Sequence, residues 1–147
     1  RKTANYSDWA NRFNGFLGHQ PLTYADTAYD SAYLLAFAIG WLGDKPITGA
    51  GINEGLKQMV GGIEVVPGVN GQAVGFGELL AGKPIDYDGI SGPLDFDVDT
   101  GEAPADIDVW CVQPGGRGFV ASGEFYDATQ EVVVGSRTAC EPELNSN

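Results

Sequence analysis

Basic side chains are scarce in this chain. Eight Lys and Arg stand against twenty Asp and Glu, a formal net charge of −12 at pH 7. That balance speaks against nucleic acid as a partner, because phosphate recognition needs clustered cations. Histidine occurs once, at His19, and no G-x-S-x-G stretch exists to seat a nucleophile. The glycines of "GVNGQAVGFG" lack the G-x-G-x-x-G spacing that a dinucleotide phosphate requires. With no reactive constellation, the expectation is not an enzyme, and no cofactor or metal is expected. Nor is there an apolar run of about eighteen residues, so no segment reads as a membrane helix. Cysteine occurs twice, at Cys111 and Cys140, in a spacing that fits no zinc site. The pair is either two partly buried thiols or one disulfide tying the tail to the preceding strand. The disulfide is the expectation. It would contribute roughly 3.5 kcal/mol in the chain-entropy model and would imply an oxidising compartment.

Apolar residues make up 43% of the chain, enough for a packed core, and 147 residues fit one domain or one lobe of something larger. Ser7 is placed to cap a helix that presents Trp9, Phe13 and Phe16 or Leu17, with Gly18 ending it. Thr23 opens the strongest helical pattern, and Asp26 three residues on makes a variant capping box. Ala25, Ala28, Tyr29, Ala32, Leu35, Ala36, Ile39 and Leu42 form its stripe, and Gly43 closes it. Thr48 caps a third helix, weakened by Gly49, Gly51 and Gly55. "IEVVPG" reads as a short strand and "AVGFGELLAG" as a short helix stopped by Gly82. "IDYDGISGPLDFD" reads as loop, then strand. "IDVWCV", "FVASGEFY" and "EVVVGS" read as further strands, with "PGGRG" as a turn and "EPELNSN" as a loose end. Helices thus precede strands, without the regular alternation of a complete parallel α/β domain.

The stretch "DFDVDTGEAPAD", residues 95–106, has acidic side chains at alternate positions. A calcium loop would need glycine one residue earlier than Gly101, Glu rather than Asp106 at its twelfth place, and no Pro104. A glycosidase pair is a far rarer use of carboxylates than a surface turn. Leu94 and Phe96 alternate with Asp95 and Asp97, so the pattern predicts a strand. "DVDTG" would then reverse the chain, and "IDVWCV" would return as the other arm of a hairpin.

"YDGISGPLDFDVDTGEAPADIDVW" resembles the end of type I periplasmic substrate-binding proteins, the branched-chain amino-acid binding proteins of ABC transporters and their receptor relatives. Shared features are a Tyr, a Gly, Ser-Gly, an apolar residue, Phe-Asp and then Gly-Glu. Upstream, "YADTAYDSAYLLAFAIGWLG" is similar to that family's Tyr-Asp-Ala helix around Tyr29 and Asp30. "ITGAGINEGLKQM" and "GELLAGKPIDY" follow in the family's order across roughly residues 5–113.

The resemblance implies an α/β fold, the C-terminal part of a two-lobed clamshell that would look α+β alone. Residues 1–93 would complete the first lobe, with the last hinge crossing around Tyr87–Pro93, and residues 94–147 would belong with the second. It implies capture of a small polar ligand, an amino acid or similar, and delivery to the membrane permease of an ABC transporter. A sensory-receptor ectodomain of the same fold is the alternative. Location would be periplasmic or extracellular, behind a signal peptide and, in lipoprotein members, a lipid anchor on an N-terminal part that precedes this chain. Tyr24 resembles the aromatic that family members place at the mouth of the cleft, although packing on the first helix is the more ordinary role for an aromatic at a helix start. Trp110, Tyr29 and Tyr33 read as packing residues, and His19 as a solvated loop residue. The helix stripe has too few strands to cover it, so a missing N-terminal segment or a second copy of the chain is expected against Ala28, Ala32, Leu35, Ala36 and Ile39.

Overall fold

A computed structural model describes residues 4–113, 118–128 and 130–137. Helix and strand are mixed, and the chain divides into two compact units, Arg1–Ala103 and Pro104–Asn147. In the first, α1 (Ala4–Leu17), α2 (Ala25–Leu42) and α3 (Gly49–Leu56) precede β1 (Ile63–Val65), α4 (Val69–Leu80) and β2 (Ile85–Tyr87). The second holds β3 (Ile107–Val112), β4 (Phe119–Asp127) and β5 (Val132–Gly135).

Three of the four helix stops in unit 1 follow from a glycine; α3 instead runs on into a tight turn at Lys57–Met59. Gly18 (φ 77°), Gly43 (φ 57°) and Gly82 (φ 74°) take positive φ just past α1, α2 and α4, a conformation that a Cβ disfavours. The starts are less legible. Thr48 does cap α3, its hydroxyl accepting the Gly51 N–H at 3.1 Å. Ser7, however, lies inside α1, where Arg12 and Asp8 pair one turn apart at 2.9 Å. Helix α2 begins after Tyr24, itself at φ 66°, and the Asp26 carboxylate accepts the Thr27 N–H instead of closing a capping box.

Strands β1 and β2 run parallel, Ile63 beside Ile85 and Val65 beside Tyr87, with α4 as the crossover between them. Phe37, Met59, Val65, Leu79, Ile85 and Tyr87 form the core, with Phe76, Tyr33, Leu34, Trp41 and Leu94 against it. A second cluster joins Trp9, Ala10 and Ile90 to Tyr6, Phe13, Ala25 and Tyr29. Helix α2 turns Asp30, Phe37, Ala38 and Leu42 inward, whereas Ala28, Ala32 and Leu35 of the expected stripe are exposed. A helix apolar nearly all round has no unique inner face, so its neighbours select one. At Gly55 a Cβ would come 2.6 Å from the Ala38 carbonyl oxygen. The glycine that weakens α3 as a helix is what lets α3 close on α2.

The stretch after Lys83 reverses the sequence expectation. Strand comes first, at Ile85–Tyr87, and residues 88–106 follow without an extended strand. Phe96 and Asp97 do not pair with 107–112. Strand β3 pairs antiparallel with β4, Val112 opposite Phe119 and Trp110 opposite Ala121, with a bulge between Asp108 and Trp110. The hairpin expected at 94–112 is therefore replaced by two separate features, a local turn at 97–102 and a β3–β4 pair. Longer strands offer more ladder bonds than the four alternating residues 94–97 could. Strand β5 completes a sheet of order β3-β4-β5. Asp127 ends β4 and accepts both the backbone N–H and the side-chain amide of Gln130, each at 2.9 Å. Arg137 pairs with Glu124 at 2.8 Å. Cys111 stands opposite Val120. Its expected partner Cys140 lies outside the described residues, as do the tip of the "PGGRG" turn and the "EPELNSN" end.

The compact units part at Ala103 and Pro104, ten residues beyond the boundary expected at 93/94. Leu94 explains the shift, because it packs on the core of unit 1 and carries the next residues with it.

Candidate functional site

A helix carboxylate in the interior needs donors around it, since an unsatisfied buried charge is costly. Asp30 on α2 is only 2% exposed. It accepts the Tyr87 hydroxyl at 3.0 Å, the Ile90 N–H at 3.1 Å, the Ser91 N–H at 2.7 Å and the Ser91 hydroxyl. Between those donors sits Gly89, where a Cβ would lie 2.5 Å from an Asp30 carboxylate oxygen. The spacing Tyr-x-Gly-x-Ser thus wraps one carboxylate, and a bridge between Asp88 and Pro93 closes the loop. Burial, then the Asp30 charge and the hydrogen bond to it, push the Tyr87 phenol far above its usual range, so the hydroxyl remains a donor. Asp88 beside it is also raised, first by burial and then by Glu64, Asp86, Asp95 and Asp30. The Asn5 amide donates to Asp88 at 3.3 Å.

The clasp brings together the two stretches that carry the family resemblance, the Tyr-Asp helix and "YDGISG". Sequence reasoning named Tyr29 and Asp30 without giving Asp30 this role. A signal was present, an acidic residue amid "AYDSAYLLAFAI", one of only two in an otherwise apolar helix. Tyr29 packs with Trp9 and Tyr33, ring centroids 5.7 and 4.7 Å apart. Burial and then its hydrogen bond with Tyr33 push its phenol up to about 12. His19 is exposed and sits edge-on to Phe13. Tyr24 is 76% exposed, its carbonyl taking the Ala28 N–H and the Thr27 hydroxyl. It does not pack into the α1 cluster. Trp110, expected to pack, is 58% exposed.

A groove of about 500 Å³ opens within unit 1 between α2, α3 and the turn at 96–101. Leu34, Leu35, Leu56, Phe96 and Val98 supply its apolar lining. Asp97 holds the turn: one carboxylate oxygen accepts the Asp99 and Thr100 N–H groups at 2.8 and 2.9 Å. The Asp97 N–H donates to the Glu102 carbonyl at 2.8 Å, and Gly101 donates back at 2.7 Å. Those N–H bonds hold the Asp97 carboxyl below its ordinary range. The acidic stretch is thus a turn capped by its own first carboxylate.

Comparison of the chain with family models, with curated proteins and with solved structures finds no match in any of the three.

Proposed function

We propose that the chain belongs to an extracytoplasmic solute-binding protein of the type I periplasmic class, which captures a small polar ligand, an amino acid or similar, for an ABC transporter. The role is binding, and the partners are the ligand and a membrane permease. The observation that supports this best is the Asp30 clasp. Two sequence stretches about sixty residues apart, each of which carries part of the resemblance, meet at one buried carboxylate. Division into two compact units suits a protein that binds by closing lobes. In that scheme Asp30 fixes Gly89–Ser91 against α2.

The test is thermal denaturation of the full gene product against the twenty amino acids and small polar solutes. A ligand at a hundred times its Kd should stabilise the folded state by about 2.7 kcal/mol. A panel in which no solute moves the melting temperature would remove this function.

A further inference from the structure

The groove between α2, α3 and residues 96–101 has the size of a ligand site. Its volume of about 500 Å³ falls inside the span of roughly 300–1,000 Å³ usual for small-molecule pockets. Its apolar lining is partly open to water, with Leu35 43% and Val98 47% exposed. An apolar body placed there would remove that surface from water.

The charges around it have one dominant sign. Lys57 is the cation, and Glu54 on the same helical stretch holds it at 2.9 Å. Glu54 offsets most of that charge, and Asp99 also acts on Lys57 across the groove, without a hydrogen bond. Asp97 and Asp99 remain at the opposite wall. Asp97 spends one oxygen on its own turn, whereas the Asp99 carboxylate has no hydrogen-bond donor among the described residues. The wall is also set in place before any ligand arrives, because Gly101 at φ 77° and the Asp97 backbone bonds fix the turn. Little ordering is left to oppose binding.

We propose that this groove binds an amphipathic organic cation, a protonated aryl- or alkylamine, with its ammonium at Asp99 and its apolar body over Leu35, Leu56 and Phe96. An anion of the same shape would face two carboxylates. A neutral analogue would keep the apolar contact and leave Asp99 with only the distant Lys57 charge. The site lies wholly in unit 1, does not include Tyr24 and needs no second lobe, so it stands or falls apart from the solute-binding function proposed above.

The experiment uses the uniformly 15N-labelled 147-residue chain and three probes of one shape: phenethylamine, 2-phenylethanol and 3-phenylpropionate. Phenethylamine should give saturable shifts in amides of residues 31–35, 53–57 and 96–101. It should bind about tenfold more tightly than the alcohol, the ratio worth 1.4 kcal/mol, and the anion should bind least. Asp99→Asn should erase the amine's advantage over the alcohol while preserving the weak apolar binding of both. The spectrum of that variant reports its fold directly, and Asp97 keeps its turn. Equal affinity for the amine and the anion would overturn the proposal. So would shifts centred elsewhere, no saturable binding up to the solubility limit, or an unchanged amine preference in Asp99→Asn.

Discussion

Unit 1 and unit 2 are both built from short apolar stretches, yet they use them differently. Unit 1 lays helices over a parallel strand pair and buries Phe37, Met59, Val65, Leu79, Ile85 and Tyr87. In unit 2 the buried residues among those described are Ser122 and Asp127. Its Trp110, Val112 and Phe119 are exposed on one face of the sheet, as the Val112–Phe119 pairing requires. A sheet hides an apolar face only against another layer, and among the described residues unit 2 supplies no second layer over the Trp110, Val112 and Phe119 face. Alternation of apolar residues is enough to make strands; a core needs something on top of them.

The sharpest way to break that contrast is to truncate one side chain in each unit. Asp30→Ala would strand the Tyr87 hydroxyl and the Ile90 and Ser91 N–H groups in the interior, at about 5 kcal/mol in total, enough to unfold a marginal domain. Trp110→Ala should cost less than about 1 kcal/mol, as for exposed positions. Urea melts of both variants decide the matter, and a Trp110→Ala loss matching that of Asp30→Ala would mean that the Trp110 face of unit 2 is covered.

A staple would make up for the thin core of unit 2. If Cys111 and Cys140 are bonded, thiol trapping followed by intact mass should label neither cysteine before reduction and both after it. Reduction should then destabilise the chain by roughly 3.5 kcal/mol. Labelling of both without reductant would leave unit 2 unstapled.

Within unit 1, Tyr87→Phe removes a single donor to a buried carboxylate, and the expected loss is about 2 kcal/mol. The result sharpens how much of the unit 1 advantage is clasp and how much is apolar packing.

Asp88 gives a smaller effect with a definite sign. Its folded pKa is raised, so the folded state holds the proton more tightly than the unfolded one. Stability is lost as pH rises from the unfolded value through the folded one, and at neutral pH the charge is a net cost. Asp88→Asn keeps an acceptor for Asn5 and should stabilise the chain at pH 7, by about 0.5 kcal/mol or less after solvent screening. The gain should vanish near the acid end of the titration. Melting curves at the two pH values would show it, and a pH-independent gain would assign the effect to packing instead.

The smallest expected effect is none. Calcium should bind the 95–106 stretch no more tightly than about millimolar, because one oxygen of the Asp97 carboxylate is committed to its own backbone N–H groups. A micromolar calorimetric signal lost on Asp97→Asn would contradict this.

Gly18, Gly43 and Gly82, the Thr48 cap and the strands at 107–112 and 119–127 were legible because each rests on one residue type or one local period. Misplaced elements share a different cause. Ser7 and Thr23 have capping chemistry, but the helices begin elsewhere because neighbouring residues are as helical as they are. The apolar excess of α2 concealed which side faces in. The hairpin at 94–112 failed because alternation says that a strand can form and nothing about its partner.

Of the candidate sites, the clasp was half visible. The motif words "AYDSAY" and "YDGISG" stand in the sequence, and so does an acidic residue where an apolar helix has little use for one. Local chemistry therefore determined the element types, their glycine stops, the excess of negative charge and the turn at Asp97, all of which act over a few residues. Tertiary structure alone decided that Asp30 and Gly89 meet, that Ala38 lies against Gly55, that β3 chooses β4, and that Leu34 and Phe96 share a groove. Those contacts join residues from 7 positions apart (Val112 and Phe119) to about 60, and close packing selects among pairings that local propensity leaves equally open.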